Sequence, residues 1–166
     1  MAGGICQVAT TVFQPIFWAG YEIDERHWHM FPMHSYADKG YLGLDATVDP
    51  EDGLDLQFMN NSDHALLILA WGDGTQTNLQ LIGTKPNWTV KVSPETITDV
   101  TPAPSGEVRT TSPVFARGRQ IVLETAQQGL TAHVTRQVVY PDGHVRTLNL
   151  VSNYQASPLT VLVGTG

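Results

Sequence analysis

The chain has 166 residues, 42% of them hydrophobic and 15% charged, with a formal net charge of −7 and a single cysteine. That length and apolar content suffice for one ordinary domain or two small ones, while the negative charge argues against a general nucleic-acid surface, which needs a basic face. One cysteine excludes an intramolecular disulfide, and no apolar run reaches the roughly 18 residues that a membrane-spanning helix needs.

In chain order, Gly3 and Gly4 lead into Ile5, Val8, Val12, Phe13, Ile16 and Phe17 at helical spacing. The spacing predicts a helix over residues 4–19, stopped by Gly20. Pro15 removes one backbone bond at a cost of roughly 3 kcal/mol, so a kink near Thr11 or a break is expected. Nothing basic and then apolar precedes this run, so no signal peptide is read, and the abrupt start suggests a piece of a longer protein.

Strand patterns follow. Residues 21–25 and 54–60 alternate, and Asn60-Asn61-Ser62-Asp63 is a turn cluster. Residues 64–71 (HALLILAW) read as a strand buried on at least one side. Gly72-Asp73-Gly74-Thr75 signals a hairpin into residues 76–82. This half reads as α+β, one helix packed on an antiparallel sheet. Residues 84–113 are rich in Pro and Thr and read as a boundary or extended connector. Beyond it, residues 119–126, 131–140, 144–151 and 159–163 read as antiparallel strands, with a turn at Pro141-Asp142-Gly143. The division predicted is 1–92, a connector over 93–117, and a β-rich module over 118–166.

The chemistry concentrates early. Cys6 falls in the first turn of the predicted helix, where the dipole and free N–H groups favour a thiolate. Glu25-Arg26-His27-Trp28-His29 and then Gly43-Leu44-Asp45 follow. Cysteine, histidine and carboxylate are the parts of a thiol nucleophile, a base and its orienting group. His27, His29 and His34 compete for the base role, and residues two apart in a strand share a face. Backbone N–H groups near Cys6 and Gln7 would hold the oxyanion, and Gln7, Trp28 and His27 are the expected substrate contacts. The competing reading is a small buried cysteine and an Asp45 that serves a turn. Zinc on Cys6, His27, His29 and Asp45 is a rival without HExxH or paired CxxC spacing. The acidic run Asp45, Asp49, Glu51, Asp52 and Asp55 lacks calcium-loop spacing and reads as solvated. No metal or other cofactor is predicted. Trp28, Trp71 and Trp88 are candidates for sugar stacking or for packing.

GGICQVATTVF, ERHWHM, GLDATV and DLQFMNNSDHALLILAW, in that order over residues 3–92, resemble the VanW family of bacterial envelope proteins, named from vancomycin-resistance gene clusters. The resemblance places the functional histidine at His29 and implies an extracellular location on the envelope, with any membrane anchor in an N-terminal segment outside this chain. The order Cys6, His29, Asp45 also looks like a transglutaminase/papain-like thiol core. Gly118, Gln128-Gly129, the stretch VVYPDG (138–143), Val151-Ser152 and VLVGT (161–165) resemble the five-glycine adhesion module, an all-β unit linked to polymers containing N-acetylglucosamine. Together these imply a partner in peptidoglycan or another cell-wall polymer. Two functions fit: a thiol enzyme acting on amide bonds of peptidoglycan peptides, and a non-catalytic envelope-binding scaffold.

Overall fold

The computed structural model describes residues 4–37, 40 and 42–166. Its elements are helix α1 (Ile5–Ala19), strand β1 (Glu22–Glu25), the short helix α2 (His34–Ala37), then β2 (Gln57–Met59), β3 (Leu66–Gly72), β4 (Thr77–Gly83), β5 (Thr89–Val92), β6 (Thr96–Thr101), β7 (Glu107–Ser112), β8 (Gln120–Glu124), β9 (Gly129–Val139), β10 (Val145–Tyr154) and β11 (Leu159–Gly164). Among the described residues β1 pairs with β2 and β3 with β4. The order β7-β11-β8 makes a further sheet, and the long β9–β10 hairpin is extended by β5 and β6, which both pair with β9. The fold is thus a β-rich α+β arrangement with one substantial helix.

Helix α1 forms where its spacing predicts. Its buried side holds Ala9, Thr10, Phe13, Ile16 and Phe17. Phe13, Ile16 and Phe17 are wholly buried, each contributing about 1.5–3 kcal/mol of burial. That face offsets the backbone bond lost at Pro15, and the expected break is absent, since the helix runs unbroken to Ala19. Gly20 ends it at φ +85°, with the Gly20 and Tyr21 N–H groups donating to the carbonyls of Phe17 and Ile16, the bond pair of a Schellman stop. A Cβ at Gly20 would lie 2.6 Å from Val90 Cγ2.

The helix rests on β9 and β10. Ala9, Phe13 and Phe17 form one core with Leu44, Ala46, Val134 and Leu150. Arg136 on β9 is buried and donates from Nη1 to the Phe17 carbonyl and from Nη2 to the Tyr21 carbonyl, both at 2.8 Å. Its guanidinium lies 5.1 Å from the Phe17 ring centroid. Burial lowers its pKa to about 10, the Arg146 charge adds to this and Tyr140 opposes it.

Two expectations change. Residues 93–117, predicted as a connector, contain β6 and β7, and β6 pairs with β9. The strands expected beyond it pair antiparallel among themselves, β9 with β10 and β8 with β11, but β11 also pairs parallel with β7 from the expected connector. The intervening β8–β10 supply the long crossover that a parallel pair needs. Strand β3, predicted to be buried on one side, exposes Leu67, Ile68, Leu69 and Trp71, because its hairpin with β4 pairs with no other described strand. No helix among the described residues is long and apolar enough to cross a membrane.

Candidate functional site

One stripe of α1 is polar and reads the backbone of residues 44–48. Cys6, Thr10 and Gln14 are spaced four apart, so they stack along a single helix side. Gln14 Nε2 donates to the Leu44 carbonyl. Thr10 Oγ1 donates to the Ala46 carbonyl at 2.9 Å and accepts from the Ala46 N–H at 3.0 Å. Cys6 Sγ shares a hydrogen bond with Thr47 Oγ1 at 3.1 Å and donates to the Val48 carbonyl at 3.7 Å. Each side chain thereby gives a partner to residues 44–48, which belong to none of the named strands, as buried backbone requires.

This ladder holds Asp45 in a buried junction. The His29 N–H and Nδ1 lie 2.9 and 2.6 Å from Asp45 Oδ2. Arg26 Nη2 donates to Oδ1 at 2.9 Å, and the Tyr154 hydroxyl donates to the same oxygen at 2.5 Å. Four donors fill the roughly four acceptor sites of a carboxylate. Arg26 is itself tied down, from Nε to the Asp45 carbonyl at 2.6 Å, from Nη1 to Ser152 Oγ at 2.8 Å and from Nη2 to the Gly43 carbonyl at 3.1 Å. The Gly43 N–H donates to the Tyr154 oxygen at 3.1 Å.

The electrostatics follow from this closure. Burial pushes the Asp45 carboxyl up, but the His29 bond, the Arg26 charge, the Tyr154 bond and the His29 N–H together hold it below the ordinary carboxylate value. Burial likewise lowers Arg26, with Asp45 and Tyr154 opposing. Tyr154 is pushed well up by burial and by the Asp45 charge, which keeps its proton available for the bond. Tyr36 is raised by burial, with a Thr10 bond opposing and the Asp45 and Cys6 charges adding. The Tyr36 ring packs against His29 at 5.9 Å between centroids.

His29 and Asp45, two of the three predicted catalytic groups, are therefore joined. With a carboxylate against it, Nδ1 is the nitrogen that carries a proton, and Nε2 is turned away from Asp45. Cys6 is half-buried at the helix start as expected, but its bonds run to Thr47 and Val48, and among the described residues none joins it to His29. The thiol-core part of the fold expectation is unsupported for this reason. The predicted substrate contacts divide between two grooves. His27 and Trp28 line one of about 520 Å³ with Thr47, while Gln7 lines another of about 470 Å³ between α1 and β4. His27 does not share His29's partner, since its Nε2 lies 2.9 Å from Glu25 Oε1. Trp28 donates to the Asn153 carbonyl at 2.9 Å and packs against Leu130, Ala132 and Tyr154. The zinc grouping is not assembled, because Cys6 and His27 turn to Thr47 and Glu25. The side chain of His34 lies outside the described ones, and so does Gly3.

Sequence reasoning missed Arg26, Thr47, Ser152 and Tyr154. Arg26 stood inside the quoted histidine stretch as its one cation. Tyr154 is 109 residues from Asp45, and no spacing signal spans that distance.

Residues 1–82 match the family model described as VanW like protein, so this N-terminal part of the chain is similar to the VanW family. The family places the chain among bacterial envelope proteins. No curated protein matches it. Two solved structures are similar in part. "Crystal structure of HP0197-G5" is 18% identical, with 48% of this chain and 100% of that chain covered, at a TM-score of 0.21. "IgA1 Protease G5 domain structure" is 18% identical, with 64% and 98% covered, at a TM-score of 0.23. Both carry the five-glycine name that the C-terminal residues resemble, at TM-scores too low to carry an argument about this fold.

Proposed function

We propose that the protein is a non-catalytic binding scaffold of the bacterial envelope that holds peptidoglycan or another cell-wall polymer, with Cys6, His29 and Asp45 as parts of a helix–strand joint. The observation that carries this reading is the bonding of the Cys6 sulfur to Thr47 and Val48 in a ladder shared with Thr10 and Gln14. Asp45 supports it, since its four donors include the buried Arg26 and Tyr154, which a merely orienting carboxylate does not need. The division into 1–92, 93–117 and 118–166 belongs to the same proposal, as a reading of motifs laid over a core that both ends share.

A second reading has one observation in its favour. The His29–Asp45 pair at 2.6 Å leaves Nε2 able to take a proton, so Cys6 would attack an amide carbonyl of a peptidoglycan peptide while His29 moves the proton. One experiment separates the two. Purified cell wall is sedimented with the wild-type chain and with Cys6→Ala, and released peptides and iodoacetamide labelling are followed alongside. The scaffold predicts equal sedimentation, no released peptide and slow labelling that His29→Ala leaves unchanged. Peptide release abolished by Cys6→Ala, with fast labelling lost in His29→Ala, would establish the enzyme instead, and wild-type chain that stays in the supernatant would refute wall binding.

A further inference from the structure

We propose that the outer edge of β3 is a dimerisation surface, on which a second copy of this chain adds its own β3 antiparallel about a two-fold axis. Two hairpins thereby become one four-stranded sheet. Leu67, Leu69 and Trp71 alternate along β3 and so share a face, and Ile82 joins them opposite Leu67. These four side chains, with Ile68 on the other face, are each between 43% and 59% exposed. Two strands alone are marginal in water, and three or more are needed over an apolar face. Helix α1 lies along β4, which leaves the far side of β3 open. Among the described residues β3 makes no main-chain bond except to β4. Free edges are ordinarily blunted by a charge, a proline or a bulge. Residues 65–72 contain no charged residue and no proline, and β3 pairs with β4 without a bulge.

The register follows from the hairpin's own alternation. The Asp73 N–H donates to the Gln76 carbonyl. In an antiparallel ladder Trp71, Leu69 and Leu67 then bond to β4, while Gly72, Ala70, Ile68 and Leu66 turn their N–H and C=O groups outward. Pairing that edge with itself over its whole length puts Leu69 on the axis, opposite its own copy. Ile68 then lies opposite Ala70 and Leu66 opposite Gly72, each pair exchanging both bonds, so every outward group finds a partner. Leu69 with Leu69, and Leu67 with Trp71, form the non-bonded pairs, in which side chains approach most closely. Large side chains meet on one face, and on the other Ile68 meets the small Ala70. No like charges are opposed, since Asp73 falls opposite Ala65 and Asp63 opposite Thr75. An isologous interface requires this self-complementarity. Covering both copies removes on the order of 1,000 Å² from water, close to the minimum for a specific interface, so the dimer is expected to dissociate on dilution. This inference does not rest on wall binding, which is read separately by sedimentation with cell wall.

The test is the solution mass of the full chain by sedimentation equilibrium, from low micromolar to near-millimolar concentration. The wild type is expected to rise from one chain to two and to stop there. Leu69→Lys sets two cations against each other on the axis, and Ala70→Pro removes an outward N–H that β4 does not use. Each variant is expected to stay at one chain, and circular dichroism confirms that both are folded. Register is read by oxidative cross-linking in a Cys6→Ala background. Leu69→Cys is expected to form a disulfide-linked dimer at least roughly tenfold faster than Val114→Cys, because pairing raises the effective concentration of the two thiols. Val114 is 83% exposed and follows β7, outside the hairpin. A wild type that remains one chain throughout, growth beyond two chains, a dimer that either folded variant retains, or equal cross-linking at residues 69 and 114 would each overturn the proposal.

Discussion

Asp45 is where the residue scale decides most. Its carboxylate is 2% exposed yet held below its ordinary pKa by donors that outweigh burial. A carboxyl with a lowered folded-state value stabilises the fold above its unfolded value and stops doing so as pH falls through the folded one. Thermal stability of the wild type should therefore fall as pH drops below about 4. In Asp45→Asn, Arg26 keeps its burial and loses its counter-charge, which costs about 3–5 kcal/mol. That variant should melt lower at neutral pH and show a flatter acid limb. Melting curves from neutral to acid pH check both, and an unchanged acid limb would refute the assignment. The pairing of His29 with Asp45 was legible as a motif. The roles of Arg26 and Tyr154 were not, because a residue's burial and its partners across the chain leave no mark on local spacing.

At the scale of elements, α1 was the most readable feature, since a 3.6-residue apolar period and a terminal glycine act locally. Its stop, however, is completed from elsewhere. Arg136 places two N–H donors on the carbonyls of Phe17 and Tyr21, where the negative end of the helix dipole favours a cation. No carboxylate pairs with it among the described residues, so the helix end is its main counterpart. We expect Arg136→Met to destabilise the protein by about 2–4 kcal/mol, because two buried carbonyls lose charged donors. Arg136→Lys should fall between, as an ammonium lacks the planar fork. Urea denaturation of the three proteins tests this, and a Met variant as stable as wild type would show that burial of the cation cancels its bonds. By contrast, the apolar run of β3 suggested burial that the structure does not provide. Hydrophobicity identifies a strand there, but which surface covers it depends on neighbours that the run does not specify.

The whole molecule is held together across its own length. The family match ends at residue 82, within β4, whereas the core around α1 includes Val134 and Leu150, and the Asp45 junction includes Ser152 and Tyr154. Removing everything after residue 82 would expose Phe13 and Phe17 and leave Asp45 without its phenol donor. We therefore expect residues 1–82 alone to lack a cooperative thermal transition that the full chain shows, measured by near-ultraviolet circular dichroism and by calorimetry. A cooperative melt of the short piece would demonstrate an independent N-terminal domain. The helix, most strands, the VanW resemblance and the His29–Asp45 partnership were determined by the sequence alone, since each depends on local periodicity or on short motifs. Tertiary structure decided that Cys6 serves Thr47 and Val48, that Arg26 and Tyr154 close the junction, and that a proline-rich stretch contributes strands. Those outcomes depend on contacts between residues tens to more than a hundred positions apart, whose burial and pairing arise only when β9 and β10 fold back against the helix.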